Sequence, residues 1–289
     1  MQSQVNAKYW INPFSSSYSL EEKLFFLLRF GVLGCFVGHG AWGIIGKEGW
    51  LTFFNVFYFP ESLSRTFMSL IGLMDIAIGI LTFYRPNKAV LLWAAIWTIF
   101  TAALRPSAGL GMSEFFERGG NYGVPLAFLW VTGGFIVKNG WWKTLTIADI
   151  NLKSRGVQFE YIMRLCLALL LVGHGGLALF NDHPVLIKHF TYFGIPSHGV
   201  EMRIFGGFEM ALGLFVYLKP KTAGLMWFVL FYKLITEFIH PIAGNARDIF
   251  ETIERMGDYI LPILLLVYYA TPELSKRLKK TKKNETSLV

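Results

Sequence analysis

The chain has 289 residues, of which 54% are hydrophobic, 17% aromatic and 16% charged, and it carries a net charge of +8. Its mean hydropathy is +0.45, whereas soluble domains carry about a quarter charged residues. These values exclude a soluble globular fold. Continuous apolar runs without period-two alternation exclude a barrel, which leaves an all-α polytopic membrane protein.

The first twenty residues are polar and end in Ser15-Ser16-Ser17-Tyr18-Ser19, and no cleavable signal peptide is expected. Apolar runs then predict about eight transmembrane helices, at 24–46, 66–84, 88–104, 122–138, 160–180, 201–218, 222–240 and 257–272. Each is close to the ~20 residues that cross a bilayer core as a helix. Arg85-Pro86-Asn87-Lys88, Lys138-Asn139-Gly140 and Lys219-Pro220-Lys221 punctuate the series.

Lysine and arginine placement orients it. With a cytoplasmic N-terminus, 16 of the 27 cations fall inside, including six from Lys276 to Lys283; 8 fall outside, and Arg29, Arg164 and Lys233 lie within spans. The bias predicts a multi-pass protein of the cell (inner) membrane with both termini cytoplasmic. It also assigns the basic tail to anionic lipid, so the bilayer is the expected partner and nucleic acid is not.

Val37-Gly38-His39-Gly40 recurs as Val172-Gly173-His174-Gly175, each with an arginine ten residues earlier, Arg29 and Arg164. The similarity extends much further. Gly72, Asp75 and Gly79 map to Gly206, Glu209 and Gly213, and Arg105-Pro106 maps to His240-Pro241. Glu117-Arg118 and Gly120-Asn121-Tyr122 map to Glu254-Arg255 and Gly257-Asp258-Tyr259. Two parallel four-helix-bundle repeats follow, because an even number of spans per copy preserves orientation. The expected division is 1–138 for the first repeat with its polar lead, 139–158 for a cytoplasmic linker, and 159–289 for the second repeat with its tail.

Ionisable groups inside apolar spans are costly and mark function. His39 and His174 lie about 15 Å outward of Arg29 and Arg164, at 1.5 Å per residue. Asp75 and Glu209 fall near mid-membrane on the next spans, and Arg105, His240, Glu117 and Glu254 fall at the outer rim. The catalytic candidates are therefore His174, Glu209, His39 and Asp75, with Arg29, Arg164, Lys233, Glu237, His240, Arg105, Glu117 and Glu254 as ligand contacts. Histidine exchanges protons near neutral pH, which suits proton relay or quinone binding. The second repeat adds Lys233, Glu237 and His240 on one helical face, and so His174 is the expected centre if one repeat is active. Glu237 and His240 have the ExxH spacing of carboxylate-bridged metal bundles, but in one copy only, and no metal is expected. Cys35 and Cys166 form no paired motif and read as small packing residues.

The Arg-x9-His-Gly first span, the Gly-x2-acidic-x3-Gly second span and the short Arg/Lys-Pro inner turn resemble the DoxX/DoxD-like integral membrane proteins. The resemblance covers both repeats, so the chain resembles a tandem duplication of that four-helix unit. It implies a redox-associated membrane protein; the DoxD branch serves as a subunit of thiosulfate:quinone oxidoreductase, and other members associate with thiol or oxidative-stress complexes. The matching positions are Arg29, His39, Asp75, Arg164, His174 and Glu209. The chain departs from the family in its double length and in lacking a redox-capable cysteine pair.

Three functions compete on this reading. The first is a quinone- or redox-associated membrane protein with a membrane or extracytoplasmic redox partner subunit. The second is a carrier for a small solute or lipid, and the third is a non-catalytic scaffold subunit.

Overall fold

The computed structural model describes residues 10–136, 140–181, 183–196, 199–219 and 221–270. Lys8, Lys138, Pro220 and the tail lysines from Lys276 to Lys283, on which the charge bias and one inner turn partly rest, lie outside these residues.

The described chain is all-helical. Helix α1 (Leu20–Ile45) starts on a capping box: Ser19 Oγ accepts from Glu22 N at 3.2 Å and Glu22 returns a bond to Ser19 N at 2.8 Å. It stops at Gly46, whose φ of 85° suits only glycine. Short α2 (Leu51–Asn55) leads into α3 (Glu61–Tyr84) and α4 (Lys88–Ser107), followed by α5 (Met112–Glu117) and α6 (Gly119–Val131). The second half follows the same order, with α7 (Leu152–Phe180), α8 (Pro184–Tyr192), α9 (Val200–Leu218), α10 (Ala223–Ala243), α11 (Ile249–Glu254) and α12 (Met256–Tyr269).

Each of the eight predicted apolar segments overlaps a helix, although the fourth runs past the end of α6 at Val131 and residues 137–138 and 271–272 of the fourth and eighth lie outside the described residues. Five of them, α1, α3, α4, α7 and α10, are long and apolar enough to cross a membrane. Helix α12 is apolar but only 14 residues long, and α6 has 13 residues. Helix α9 carries Glu201, Arg203 and Glu209 within 19 residues. The segment expected as a linker is partly helical, since α7 begins at Leu152.

Glycines set the packing. A Cβ on Gly40 would come within 2.6 Å of Gly72 O, and one on Gly175 within 2.5 Å of Gly206 O, so α1 meets α3 and α7 meets α9 backbone to backbone. The neighbouring glycines do something else. A Cβ on Gly38 would fall on the backbone of Glu254, and one on Gly173 on that of Glu117. Each histidine helix therefore presses against the Glu-Arg corner of the opposite half. Helices α6 and α12 cross at Gly120 and Gly257 between them.

One apolar core runs through both halves, from Leu24 on α1 to Tyr268 on α12. Around it, α3, α4, α9 and α10 turn large apolar side chains outward, among them Leu73, Ile96, Leu214 and Phe231. A belt of this size is stable against lipid and costly against water.

Candidate functional site

The structure brings His39 and Asp75 together. Nδ1 of His39 donates to Asp75 Oδ2 at 2.6 Å, and Asp75 is fully buried. The bond follows from the helix pairing, since the Gly40–Gly72 contact lets α1 approach α3 closely enough for the two side chains to meet. The Trp50 ring lies 4.3 Å from the His39 ring. The second half repeats the pair: His174 Nδ1 donates to Glu209 Oε2 at 2.6 Å, and Glu209 is likewise fully buried.

The pairs differ at the second carboxylate oxygen. Glu209 Oε1 accepts from the Tyr232 hydroxyl at 2.7 Å. The matching position in the first half is Trp97. Among the described residues, neither Asp75 Oδ1 nor Trp97 Nε1 has a hydrogen-bond partner, although both are buried. An orphaned buried polar atom forfeits about 1–3 kcal/mol, a cost that the Tyr232 hydroxyl relieves at Glu209 and that nothing relieves at Asp75 among the described residues.

Two cavities meet at this point. An apolar one of about 280 Å³ is lined by His39, Trp50, Trp97, Phe53, Phe67 and Phe100. Phe57 and Phe100 belong both to its wall and to the exposed apolar belt. A polar one of about 340 Å³ lies between the halves, lined by His174, His189, His240, Arg118, Arg255 and Lys47, among others. Trp50, Phe53 and Arg105 line both. The Arg105 guanidinium lies 5.2 Å from the Phe53 ring centre and bonds Glu114 at 2.9 Å, and His183 reaches the other oxygen of Glu114 at 2.9 Å. In the second half, Phe205 and Phe208 pack against Tyr232 at 6.0 and 5.8 Å.

A buried ionic layer floors the polar cavity. Arg118 donates to Glu254 at 2.9 Å and Arg255 to Glu117 at 3.1 Å, so the two Glu-Arg corners pair crosswise. Arg255 also bonds Glu251 at 2.8 Å and faces Glu237 at 2.9 Å. Lys233 pairs with Glu237 and, at 3.2 Å, with Asp258, while His240 lies 3.3 Å from Glu237. Lys47 closes the layer on Glu251.

Burial alone would raise the Glu117 carboxyl, but the guanidiniums of Arg118, Arg255 and Arg105 outweigh it and hold the group below the usual range. Glu251 is held down against burial by Lys47 and Arg255, and Glu254 by Arg118 and His39. His189 goes the other way: burial, then the nearby His240 ring, pushes it down to about 3. It is a neutral imidazole at the cavity wall.

Arg29 and Arg164 lie apart from this assembly. Arg29 donates to Phe83 O at 2.9 Å and lies over the Phe25 ring at 4.6 Å. Arg164 faces Glu160 at 3.6 Å and the Tyr217 ring at 5.3 Å. Ten helical residues, about 15 Å, separate each from its histidine. Their surroundings are aromatic clamps at the far ends of α3 and α9. Cys35 and Cys166 are free and buried.

Sequence reasoning placed Arg105, Glu117, Lys233, Glu237, His240 and Glu254 near the histidines, and they line or floor the polar cavity. It missed Arg118, Arg255 and Asp258, which the internal alignment already contained beside the chosen residues. It also missed Lys47, Trp50, Glu251 and His189, which carry no repeat signal.

Comparison of the chain with protein-family models, with curated proteins and with solved structures finds no match.

Proposed function

We propose that the chain is a DoxX-like, eight-span protein of the cell membrane that binds a quinone-class ligand in the apolar cavity on His39. One observation carries this reading: a histidine–carboxylate pair and the orphaned Trp97 indole N–H stand at an aromatic cavity whose outer wall is part of the lipid-facing belt. A membrane-soluble planar ring with two carbonyl oxygens matches both halves of that description. The Phe-rich wall takes the ring and tail, and the polar end offers a donor and a proton-exchanging pair.

Reduction of a quinone takes two electrons and two protons. His39 and Asp75 supply a proton route, refilled from the polar cavity across Arg105 and the ionic layer. The electrons come from a redox partner subunit, since the two free cysteines are buried in separate helices, α1 and α7, and are not paired. In this scheme the first half holds the ligand. Tyr232 occupies the corresponding place in the second half, and His174 serves the polar cavity.

Two parallel four-helix repeats with both termini cytoplasmic complete the proposal. The short α6 and α12 cross the core alongside α1 and α7, shielded from lipid by the five longer helices and by α9.

The test is direct. Protein purified in native-lipid discs is extracted and assayed for bound quinone, then titrated with a short-tailed benzoquinone. Binding that His39→Gln weakens at least tenfold is expected. No copurifying quinone together with no saturable binding sinks the reading.

A second reading, a carrier for a small polar solute, rests on the polar cavity beside His174. Flux into proteoliposomes that Glu237→Gln abolishes, without quinone binding, favours it.

A further inference from the structure

A cavity of about 520 Å³ lies at the opposite end of the molecule from both histidine pairs. It forms where residues 140–151 fold back on the starts of α4 and α7. Ala89 N donates to Trp141 O at 3.1 Å, Leu145 N to Pro86 O at 2.7 Å, and Asn151 N to Val131 O at 2.9 Å. The segment between the halves is thus a fixed wall.

Lys88, Lys143 and Arg155 line this cavity, against a single carboxylate, Asp149. That carboxylate is already engaged, its Oδ2 accepting from Thr146 N at 2.7 Å and Thr146 Oγ1 at 3.0 Å. The cations are positioned. Lys88 Nζ is held by the carbonyls of Gly134, at 3.4 Å, and Ile136. Arg155 lies over the Trp130 ring at 4.7 Å and donates to Trp130 O at 3.4 Å. Gly133 and Gly134, with φ of 115° and 58°, make the turn that admits both cations: a Cβ on Gly133 would lie 3.0 Å from Lys88 Nζ, and one on Gly134 2.9 Å from Arg155 Nη1. The N-terminal ends of α4 and α7, 20 and 29 residues long, add positive helix-dipole ends at the same place. Ser154, Asn151 and Thr132 supply neutral polar groups around the cations.

We propose that this cavity binds a phosphate group, as a monoanion or dianion held between Arg155, Lys143 and Lys88. Positive excess, two cations held in place, Lys88 and Arg155, two helix N-termini and a volume well above that of a water pocket converge on one ligand chemistry. The same phosphate arrives either on an anionic lipid headgroup or on a small phosphorylated solute. The exposed Trp141 and Trp142 adjoin the site in the chain, and tryptophan is the side chain that favours a headgroup layer. The lysine and arginine bias assigns this face to the cytoplasm. The inference is independent of the quinone reading.

Binding is measured on the full chain in detergent, by calorimetry and by the shift in melting temperature, with dioctanoyl phosphatidic acid, dioctanoyl glycerol and glycerol 3-phosphate as probes. Saturable binding of phosphatidic acid, absent for the diacylglycerol, is expected, weakened at least tenfold in Arg155→Gln and weakened further by added salt. Glycerol 3-phosphate binding as tightly as the lipid identifies a soluble ligand, and lipid binding alone identifies a headgroup. Lys143→Gln, an exposed position on the loop, provides the same test if Arg155→Gln fails to fold. Equal binding of diacylglycerol and phosphatidic acid, no binding of either phosphate probe, or unchanged affinity in Lys143→Gln overturns the proposal.

Discussion

Arg118 reaches across the molecule to Glu254, Nη1 to Oε1 at 2.9 Å, and both are buried. The residue after Glu254, Arg255, returns the contact to Glu117 at 3.1 Å, so the crossing is reciprocal. Removing one member leaves its partner charged and desolvated, which costs about 3–5 kcal/mol. Glu254→Gln and Arg118→Met are each expected to lower stability by that order. The double variant is expected to recover part of the loss, in a double-mutant cycle read by thermal unfolding in detergent. Additive losses refute the pairing.

Gly38→Ala and Gly173→Ala place a methyl on the backbone of Glu254 and Glu117. Overpacking against backbone costs about 1–3 kcal/mol or more, so both variants should melt lower or fail to accumulate. Gly207 on α9 has nothing within 4 Å of the added carbon. Gly207→Ala should be neutral, or more stable by about 0.5–1 kcal/mol, because alanine favours helix. Equal effects at all three positions contradict the crossed packing.

Trp97→Phe keeps the aromatic wall of the apolar cavity and deletes its unpartnered N–H. If that group donates to a bound quinone, titration should show affinity falling by about 1 kcal/mol, roughly fivefold. Protein stability without ligand should hold or rise, since an orphan is removed. His174→Gln should leave quinone affinity within twofold. The reverse order of effects would move the ligand to the second half.

Acid should destabilise the protein in two stages. His189 titrates near 3 in the fold against an ordinary value of 6.5, so between those values the unfolded chain binds more protons. Stability then falls as pH drops from 6.5 towards 3. Glu117, Glu251 and Glu254 are held below their ordinary 4.5, so their contribution is complete above that value and is lost as pH falls through their lowered range. In His189→Asn, the melting temperature should fall less steeply between pH 6.5 and 4.5 than in the unaltered chain and still drop below that range. An unchanged slope in the upper window refutes the assignment.

Much of the fold was readable because apolar runs and helix periodicity are local signals. The His39–Asp75 and His174–Glu209 pairings were readable for the same reason, since glycines at matching places on consecutive helices bring them together. The crossed ion pairs were not. Arg118 and Glu254 are 136 residues apart, and nothing near either one names the other. The two cavities depend on where Trp50, Phe53 and Arg105 come to rest, which only tertiary packing decides. The short α5 and α11 escaped notice because Glu117 and Glu254 read as rim residues, whereas each sits in a six-residue turn of helix wedged under the opposite histidine helix.

That wedge sets an order for biosynthesis. Arg118 is synthesised 136 residues before Glu254, and until that residue is made it has no carboxylate from the second half to meet. Insertion and final packing are therefore separate events. The first half is made with Arg118 facing only the neighbouring Glu117, and truncation before residue 254 should yield a chain whose helices form but whose two corners never lock.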